Sequence, residues 1–406
     1  MTGGRTILVV GGGPAGVFAA INAKKQDEGA TVLLLTREPC EPYEKPPLSK
    51  AVLVGRAAPE DAPIAGPGGV AGQNVVLETR TDCEAIDRSG RTVVLADGRR
   101  LAYDALVIAT GSTPREIPLL PIGTQSVHYL RTHDDARALE AALRRSRDLL
   151  VVGGGLIGLE VAASAATLGV NVTVLEVAPR IMERVCDEDT GAAVHAAHVR
   201  HGVDIRVSTI LVSAAPQADG RIAAITGNGD RLLADLVVVG TGSKPDTALA
   251  ATAGLAVDDG IVVDRQCRTS DPLIFAAGDC VRFPGPDGLV RLENWIHAQD
   301  QGIVAGRNAA GADATYGAVP SFWSEQYDLY IQGVGWPKAG CRRVRRALDG
   351  NRQLVFDVKD GRLAYAMGIN AQRDVALARR IVERRVPVDP AALADAARPL
   401  AAMLKQ

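Results

Sequence analysis

Residues with the spacing of a phosphate-binding loop stand close to the start of the chain. The stretch TILVVGGGPAG runs from an apolar segment into a G-x-G-x-x-G motif formed by Gly11, Gly13 and Gly16. In such a motif the first glycine permits a tight turn, the second lets the backbone approach a pyrophosphate, and the third lets the next helix pack closely on the sheet. Glu38 follows Gly16 by 22 residues, where an acid accepts a hydrogen bond from a ribose hydroxyl.

The same arrangement recurs in the middle of the chain. The stretch DLLVVGGGLIG carries Gly153, Gly155 and Gly158, and Gly153 follows the first glycine of the earlier motif by 142 residues. Glu176 lies 18 residues after Gly158 and ends the next apolar stretch. One such motif is weak evidence because glycine-rich turns are common, but here a strand pattern precedes and a helix pattern follows both copies. The sequence therefore predicts two dinucleotide sites, each with its phosphates at a helix N-terminus.

A stiff, charged segment, YEKPPLSK, occupies residues 43–50, shortly after the first glycine motif. It places Lys45 and Lys50 on either side of two adjacent prolines. Proline fixes φ and removes a backbone donor, so the segment suits neither a helix nor a central strand. A surface turn explains the prolines, but these residues alone do not explain why such a turn follows a phosphate-binding loop so closely.

The elements that must position these residues can be predicted from the apolar stretches. DALVIATGSTPR and ADLVVVGTGSKPD repeat one pattern and indicate crossings between two dinucleotide-binding domains, while PLIFAAGDC indicates a strand that ends in Gly-Asp. After about residue 320 the strands LVFDVK and LAYAMGIN and the helix RDVALARRIVERR indicate a third domain. We predict an α/β fold with two Rossmann-like domains, at 1–112 with 246–320 and at 113–245, and a C-terminal α+β domain at 321–406.

Composition and charge restrict the classes of function. The 406 residues are 47% hydrophobic and 23% charged, which is typical of a soluble globular chain, and the net charge of −2 does not favour nucleic acid. Residues 321–406 hold 15 Lys+Arg and 9 Asp+Glu, so a basic C-terminal segment follows an acidic body and suggests an acidic partner. No targeting segment, membrane span or C-x-x-C pair is present, and we expect a reducing cytoplasm.

The chain resembles a known family at several motifs. GGGPAG, PYEKPPLSK, ATGSTPR, GGGLIGLE, AAGDC, ENWIHAQDQG and FWSEQY are similar to those of the FAD- and NADH-dependent ferredoxin reductases of oxygenase systems, of the putidaredoxin reductase and biphenyl dioxygenase reductase type. The resemblance covers essentially the whole chain, and the octet and the tryptophan motif distinguish it from other flavoproteins. It implies a glutathione-reductase-like fold, with FAD in the first domain and NADH in the second.

The resemblance also implies a role for the octet. In the family this stretch is a rigid loop over the flavin, and its final lysine, Lys50 here, approaches the reactive edge of the isoalloxazine. The family usually has arginine before the prolines, whereas this chain has Lys45, which keeps the charge but not the planar bidentate contacts. Glu160 is expected to face Lys50 near the hydride path. Trp323 is expected to lie against the flavin from the third domain.

Further residues are implied to bind FAD. The resemblance predicts that Asp279 bonds the ribityl chain and that Glu38 bonds the adenosine ribose. It also predicts that Thr110, Gly111 and Arg115 line the FAD side of the cofactor sites. Each of these positions falls in a motif quoted above or at the end of a predicted strand, which is where ligands bind in open α/β sheets.

The nicotinamide side has its own expected residues. Glu293 and Trp295 are implied to border the flavin and the nicotinamide, and Gly242 is implied to let the nicotinamide come close. Glu176 would accept a hydrogen bond from the ribose of NADH and repel the 2′-phosphate of NADPH. NADH is therefore the expected nucleotide.

Three groups of residues suggest other chemistry and are weighed separately. His195, His198 and His201 recur at i, i+3 and i+6, but no carboxylate ligand set accompanies them, and we predict no metal site. His297 is interpreted as a hydrogen-bonded structural residue, because hydride transfer to a flavin needs little acid–base help. Cys40 follows the acid of the first motif by two residues, which places it near adenosine and away from the flavin ring.

The resemblance, together with the two predicted dinucleotide sites, implies a converter between two-electron and one-electron chemistry. Electrons would pass from NADH through FAD to a small two-iron two-sulfur ferredoxin, which docks on the basic C-terminal surface and supplies a monooxygenase or Rieske dioxygenase. One rival is a thiol- or oxygen-reducing NADH flavoenzyme that uses Cys40. Another is a redox-sensing binding protein that resembles apoptosis-inducing factor. A membrane quinone reductase is disfavoured because the C-terminus shows no amphipathic anchor.

Overall fold

The computed structural model describes residues 4–405 and divides the chain into two compact units. The first unit comprises residues 4–44, 59–113 and 243–318, and the second comprises 45–58, 114–242 and 319–405. Most of the YEKPPLSK octet therefore belongs to the second unit, together with the segments predicted to form the NADH and C-terminal domains. The three domain boundaries expected from the sequence stay a prediction.

The elements are numbered in chain order. Up to Pro114 they are β1 (Thr6–Val10), α1 (Pro14–Gln26), β2 (Thr31–Leu35), β3 (Val76–Glu78), β4 (Cys83–Asp87), β5 (Thr92–Leu95), β6 (Arg100–Ala102), β7 (Ala105–Ile108) and β8 (Ser112–Pro114). Up to Gly242 they are β9 (Val127–His128), α2 (His133–Leu143), β10 (Asp148–Val152), α3 (Leu156–Thr167), β11 (Asn171–Leu175), α4 (Glu188–Arg200), β12 (Asp204–Arg206), β13 (Leu211–Pro216), β14 (Ile222–Thr226), β15 (Arg231–Ala234) and β16 (Leu236–Val239).

The chain continues with elements of the first unit and then of the C-terminal segment. They are β17 (Ser243–Pro245), α5 (Ala248–Thr252), β18 (Ile261–Val262), β19 (Ile274–Ala276), β20 (Val281–Gly285), β21 (Gly288–Val290), α6 (Trp295–Ala309), β22 (Ser321–Gln326), β23 (Leu329–Gly335), β24 (Arg342–Ala347), β25 (Gln353–Lys359), β26 (Arg362–Ile369), α7 (Gln372–Glu383) and α8 (Pro390–Ala394). Short 3-10 helices span Pro46–Ser49, Pro59–Asp61, Ala71–Gln73 and Leu400–Lys405.

The first unit is built on a parallel sheet with strand order β19-β7-β1-β2-β3. Its central strand reads ILVV from Ile7 to Val10, and these residues are buried, as expected for a strand covered on both faces. Helices α1 and α6 approach closely because α6 contributes glycines. A Cβ atom at Gly302 would lie 2.3 Å from the carbonyl oxygen of Ala15, so only glycine fits there.

The second unit repeats this plan and adds an antiparallel sheet. Its parallel sheet has the order β12-β11-β10-β16-β9, and the C-terminal sheet has the order β22-β23-β26-β25-β24. Helix α7 packs on the C-terminal sheet through Val375, Ala378 and Ile381, all buried at helical spacing. The predicted α/β class, with two Rossmann-like sheets and a C-terminal α+β segment, is confirmed. The strands and the helix expected after residue 320 are also present.

One local expectation was wrong. The prolines of the octet argued against a helix, yet Pro46–Ser49 forms a single turn of 3-10 helix. Proline is tolerated in the first turn of a helix, where its missing N–H has no intrahelical partner to lose. The turn is also not a surface one, because Leu48 and Ser49 are buried. Between residues 4 and 405, no helix combines the length and apolar character that crossing a membrane requires.

Candidate functional site

The first glycine loop has the shape that a pyrophosphate requires. Gly11 has φ +118° and donates its N–H to the carbonyl of Leu35 at 2.8 Å. A Cβ atom at Gly16 would lie 1.8 Å from the carbonyl oxygen of Gly11, whereas one at Gly13 would meet nothing within 4 Å. The side of Gly13 is thus open, and α1 begins immediately after it, at Pro14. An open backbone at a helix N-terminus fits a bound diphosphate.

The second glycine loop, in the other unit, has the same geometry. Gly153 has φ +111° and donates its N–H to the carbonyl of Leu175 at 2.8 Å. A Cβ atom at Gly158 would lie 2.1 Å from the carbonyl oxygen of Gly153, and one at Gly155 would meet nothing within 4 Å. Because α3 begins at Leu156, this loop also presents an open backbone at a helix N-terminus. Each unit therefore holds a loop that suits a dinucleotide.

The two acids that follow these loops are both held in place. The hydroxyl of Tyr43 donates to Oε2 of Glu38 at 2.5 Å. Glu176 reaches back to its own glycine loop, where Oε2 accepts from the N–H of Gly154 at 2.7 Å and Oε1 accepts from the N–H of Ala178 at 2.8 Å. Each carboxylate oxygen has more than one lone-pair site. These bonds orient Glu176 and leave it able to accept from a ribose hydroxyl.

The loops after β7 and β19 bring together four residues of the first unit. The two strands are parallel neighbours, so their C-terminal ends meet at one edge of the sheet. Ser112 donates through Oγ to Oδ2 of Asp279 at 3.0 Å. Thr110 donates through Oγ1 to the carbonyl of Asp246 at 2.6 Å, and Gly111 has φ +73°. The sequence predicted Thr110, Gly111 and Asp279 at such an edge, but it did not predict that Ser112 orients Asp279.

Trp295 opens α6 in the first unit and contacts two side chains. Its ring meets that of Phe18 edge to face, with centroids 5.9 Å apart. Burial raises the pKa of Glu44 above its ordinary value, and a hydrogen bond from Trp295 partly offsets this. Glu293, two residues earlier, pairs with Arg291. The tryptophan is thus fixed by packing and by a hydrogen bond, while Glu293 is held by an arginine two residues away.

Lys50 and Glu160 meet in the second unit, as the resemblance predicted. The ammonium of Lys50 lies 2.9 Å from Oε2 of Glu160, and the two side chains are 19% and 4% exposed. Two hydroxyls that the sequence analysis missed complete the shell of this carboxylate. Ser49 donates to Oε2, and Ser324 donates to Oε1 at 2.6 Å. Ser164, one turn along α3, donates to the carbonyl of Ser49 at 2.8 Å and anchors the octet to the helix.

The octet presents Lys50 at the end of its 3-10 turn. Lys45 precedes the turn and is half-buried, and Lys50 caps its C-terminus with φ −125° and ψ −100°. Trp323 lies on β22 and is half-buried, next to the fully buried Ser324. Successive side chains of a strand point to opposite faces, so Trp323 and Ser324 face away from each other. The serine contacts Glu160, and the tryptophan belongs to the opposite face of the sheet.

Arg115 and Gly242 are brought together in the second unit. The N–H of Arg115 donates to the carbonyl of Gly242 at 2.8 Å, and the hydroxyl of Thr241 donates to the carbonyl of Arg115 at 3.0 Å. Gly242 has φ +101°, which disfavours any other residue there. The glycine that the sequence predicted beside the nicotinamide therefore has a backbone reason to be glycine, independent of any ligand.

The histidines singled out in the sequence contact other side chains, and His198 and His201 share Tyr327. His198 is buried between Gln326 and Tyr327. Within residues 4–405, no three His, Cys, Asp or Glu side chains form a group that could hold a metal ion. His297 bonds Tyr316 through Nδ1 at 2.7 Å, and burial lowers its pKa to about 3. His297 is therefore neutral near pH 7, which fits its interpretation as a structural residue.

The cysteines offer little support for thiol chemistry. All six are free. Burial raises the pKa of five thiols, to about 12 for Cys83 and Cys186, to about 11 for Cys280, and upwards for Cys267 and Cys341. Cys40 lines a cleft of the first unit with Glu41 and Glu60. Reactive cysteines lie in electropositive surroundings, and these two acids are the opposite.

Comparison with known proteins identifies the family. Residues 5–302 match the family model described as pyridine nucleotide-disulphide oxidoreductase, and residues 321–404 match the model described as reductase C-terminal. The chain is 38% identical over 394 residues to rhodocoxin reductase from Rhodococcus erythropolis, covering 96% of this chain and 92% of that protein. It is 40% identical over 393 residues to the anthranilate 1,2-dioxygenase system ferredoxin–NAD(+) reductase component from Burkholderia cepacia, covering 96% of each.

The fold agrees with these sequence relationships. The crystal structure of the covalent putidaredoxin reductase–putidaredoxin complex matches with a TM-score of 0.93 and 36% identity, over 99% of this chain and 98% of that one. Both the family models and the structural match thus extend through the C-terminal segment. The chain belongs to the pyridine nucleotide-disulphide oxidoreductase family, in the group that contains the ferredoxin–NAD(+) reductase components of oxygenase systems and whose members use FAD and NAD(H).

Proposed function

We propose that this chain passes electrons from NADH through FAD to a small two-iron two-sulfur ferredoxin, which supplies a monooxygenase or a Rieske dioxygenase. The observation that carries the proposal is the pair of open glycine loops, one in each unit, around Gly13 and Gly155. One loop suits FAD and the other suits NADH. The flavin, when bound, supplies the ability to accept a hydride and to release single electrons.

The proposal assigns binding roles to the residues of each loop. The open loops and the helix N-termini hold the diphosphates, and Glu38 and Glu176 accept from ribose hydroxyls. Thr110, Gly111 and Asp279 contribute to the FAD site from the strand ends of the first unit. The domain division proposed with these roles is 1–112 and 246–320 for FAD, 113–245 for NADH, and 321–406 for the C-terminal domain.

A second set of residues is proposed to act where the hydride passes. Lys50 and Glu160 form a paired charge, in which the lysine gives a positive charge and the carboxylate fixes its position. A fixed charge that needs no reorganisation is the form of electrostatic help that proteins provide best. Trp323 is proposed to pack on the flavin, and Lys45 to keep a positive charge beside it. Gly242 is proposed to admit the nicotinamide.

Three further residues complete the proposed cofactor contacts. Arg115 is proposed to contribute to the FAD site, as the resemblance implies, and its backbone is held by hydrogen bonds to Gly242 and Thr241. Glu293 and Trp295 are proposed to border the flavin and the nicotinamide. The packing of Trp295 on Phe18 supports this, because a ring fixed by neighbours can order a flat ligand without a further loss of rotamer entropy.

Charge favours one part of the C-terminal surface as the ferredoxin docking site. In CRRVRR, Arg343 pairs with Asp357 at 2.9 Å, Arg345 pairs with Asp189, and the guanidinium of Arg346 is buried against backbone carbonyls. The arginines at the end of α7 differ. Arg379 pairs with Glu383 at 2.9 Å, because residues four apart on a helix are neighbours.

Two arginines at the C-terminal end of α7, one of them the capping residue, remain available to a partner. Arg380 and Arg384 are exposed and have no carboxylate partner within residues 4–405. Since ferredoxins are typically acidic and opposite charges speed association, we propose that these two arginines contribute to the docking surface. We propose further that the protein acts in the cytoplasm, because its six cysteines are free, as expected in a reducing compartment.

The first test is the cofactor content. The purified protein is expected to be yellow, with about one FAD per chain that is released on denaturation, because nothing in the proposed site bonds the flavin covalently. NADH is expected to reduce that flavin, and an added ferredoxin is expected to carry electrons to cytochrome c. A protein that binds no flavin after refolding with excess FAD would overturn the proposal.

The two rival functions predict other outcomes. A thiol- or oxygen-reducing flavoenzyme would lose activity when the cysteines are alkylated, whereas the proposed ferredoxin reductase would keep it. A redox-sensing binding protein would be reduced by NADH but would turn over slowly with ferredoxin. Fast turnover of an alkylated protein excludes both.

A further inference from the structure

The histidine motif on α4 and the FWSEQY motif on β22 have features that the proposed function does not use. They meet inside the second unit, where His198, Ser324 and Gln326 are at most 1% exposed. Ser324 and Gln326 are two apart on β22 and therefore share one face of the strand. Buried polar groups are costly unless they are hydrogen-bonded, so the partners of these three side chains are informative.

The hydrogen bonds can be assigned a direction, beginning at the carboxylate. Glu160, paired with Lys50, only accepts hydrogen bonds. Ser324 therefore donates its one proton to Oε1 of Glu160, at 2.6 Å. Its oxygen is then left to accept, and the amide Nε2 of Gln326 donates to it at 3.1 Å. This requirement fixes the orientation of the glutamine amide, with its carbonyl oxygen directed to the other side.

The same reasoning assigns the tautomer of His198. The carbonyl oxygen Oε1 of Gln326 lies 2.8 Å from Nε2 of His198 and can only accept, so Nε2 carries the proton. Nδ1 then accepts from the hydroxyl of Tyr327 at 3.2 Å. Tyr327 also stacks on His201, with ring centroids 3.7 Å apart. In this buried hydrogen-bond chain, which runs from Tyr327 through His198, Gln326 and Ser324 to Glu160, every donor thus points towards the carboxylate.

We propose that Ser324, Gln326 and His198 are positioning residues, which hold the buried carboxylate in the orientation that meets its lysine partner. The buried hydrogen-bond chain joins three elements, α4, β22 and α3, and so connects the C-terminal segment to the Lys50–Glu160 pair. Donors aligned in one direction polarise each other, so each bond strengthens the next. The catalytic importance of these positioning residues rests on the proposed function, whereas the direction of the hydrogen-bond chain does not.

A purely structural joint is the alternative. Side chains at a contact between a helix and a strand can satisfy each other without affecting any reaction, and their removal would then lower stability alone. The two explanations predict different effects when the Ser324 hydroxyl is removed. Positioning predicts a slower chemical step at unchanged NADH affinity, because an interaction made in the transition state is lost. A structural joint predicts a lower unfolding temperature with unchanged rates.

The first experiment reads the tautomer directly, on the holoprotein. Histidines are labelled with ¹⁵N, and the His198 ring is assigned by comparison with His198→Gln. We expect a proton on Nε2 and none on Nδ1 at pH 7, and we expect Gln326→Met to abolish this preference. A proton on Nδ1, or a doubly protonated ring at pH 7, would overturn the direction of the chain. This measurement needs no enzymatic activity, so it stands if the proposed function fails.

The second experiment compares three substitutions on β22. Ser324→Ala removes the donor, Ser324→Thr restores a hydroxyl, and Ser321→Ala makes the same change on the same strand at a hydroxyl without a hydrogen-bond partner within residues 4–405. Stopped-flow reduction of the bound flavin by NADH, the half-saturating NADH concentration, the FAD content and the thermal midpoint are measured. Ser324→Ala is expected to slow reduction about tenfold with half-saturation within twofold, Ser324→Thr to recover most of the rate, and Ser321→Ala to match wild type.

Two outcomes would overturn the positioning role. One is a Ser324→Ala protein that is less stable but reduced at the wild-type rate. If Ser324→Ala does not fold, Gln326→Met is tested instead, and its flavin reduction is expected to be about threefold slower than that of wild type. A wild-type rate for Gln326→Met is the second outcome that would overturn the positioning role. A wild-type protein that NADH does not reduce would instead refute the proposed function. The tautomer experiment would still test the direction of the hydrogen-bond chain in that case.

Discussion

Replacing Lys50 by methionine removes the charge that is paired with Glu160 and keeps much of the side-chain length. The two groups are 2.9 Å apart, so their Coulomb attraction is about 6 kcal/mol at an effective dielectric constant of about 20. Desolvation opposes this, because the two side chains are only 19% and 4% exposed. The net value of a hydrogen bond to a charged group is about 1.5–3 kcal/mol. If the pair acts in the transition state, flavin reduction slows by roughly 10- to 100-fold.

A double-mutant cycle separates the pair from the individual side chains. The rate of flavin reduction by NADH is measured in anaerobic stopped flow for Lys50→Met, Glu160→Gln and the double variant. We expect the double variant to be no slower than the slower single variant, with a coupling energy of at least about 1.5 kcal/mol. FAD content is expected to stay at the wild-type level. Lys25→Met, at an exposed lysine of α1, is the control.

Two results would refute this reasoning. If Lys50→Met is reduced at the rate of wild type, Lys50 is a loop lysine with no part in the reaction. If the two single effects add in the double variant, each residue acts alone, and the 2.9 Å contact carries no functional coupling. Loss of FAD from Lys50→Met would instead assign the lysine to flavin binding.

Three further predictions concern the nucleotide, the ferredoxin and pH. NADH is expected to be preferred over NADPH by several kcal/mol, on the order of 100-fold or more in kcat/KM, and Glu176→Arg should lower this ratio. Equal kcat/KM values for the two nucleotides in wild type would contradict the proposed role of Glu176. Arg380→Glu and Arg384→Glu should each raise the ferredoxin KM at low salt more than Arg379→Glu does, with the difference shrinking as salt screens the charges; a larger effect at Arg379 would mean that another face of α7 docks the partner. Burial lowers the pKa of His198 to about 4, so below the ordinary value of about 6.5 the unfolded chain takes up the proton first. The free energy of unfolding should therefore fall by up to about 1.4 kcal/mol per pH unit between pH 6.5 and 5. Thermal midpoints across this range should depend less steeply on pH for His198→Gln than for wild type, and an unchanged slope would refute the assignment.

The cofactor-binding loops could be predicted because their chemistry is local. The three glycines of each motif are determined by backbone geometry within six residues, and the structure bears out their conformations at Gly11 and Gly153. The pairing of Arg379 with Glu383 was predictable for the same reason, since residues four apart on a helix are neighbours. Only the resemblance, and not the residue pattern, related Lys50 to Glu160, because 110 positions separate them.

A charge count does not show which arginines of a segment already have partners. Four arginines of CRRVRR contribute to the positive charge of residues 321–406. Arg343, however, bonds Asp357, which lies opposite it on the neighbouring strand, and Arg345 bonds Asp189, which lies 156 positions away. The guanidinium of Arg346 donates hydrogen bonds to backbone carbonyls. A net charge of a segment counts these arginines as available, and only the fold shows which of them are already neutralised.

The histidine motif shows that an argument about metal binding from spacing leaves other roles of the same residues undetected. The spacing of His195, His198 and His201 on one helix gave reason to reject a metal site, and nothing local suggested another purpose. The partner of His198 is Gln326, 128 positions later, so the sequence of α4 alone could not reveal it. The alternation of β22 did hold a signal, since Ser324 and Gln326 must face the side opposite Trp323. Two polar residues on the buried face of a strand require partners, and the buried partner of one of them is Glu160.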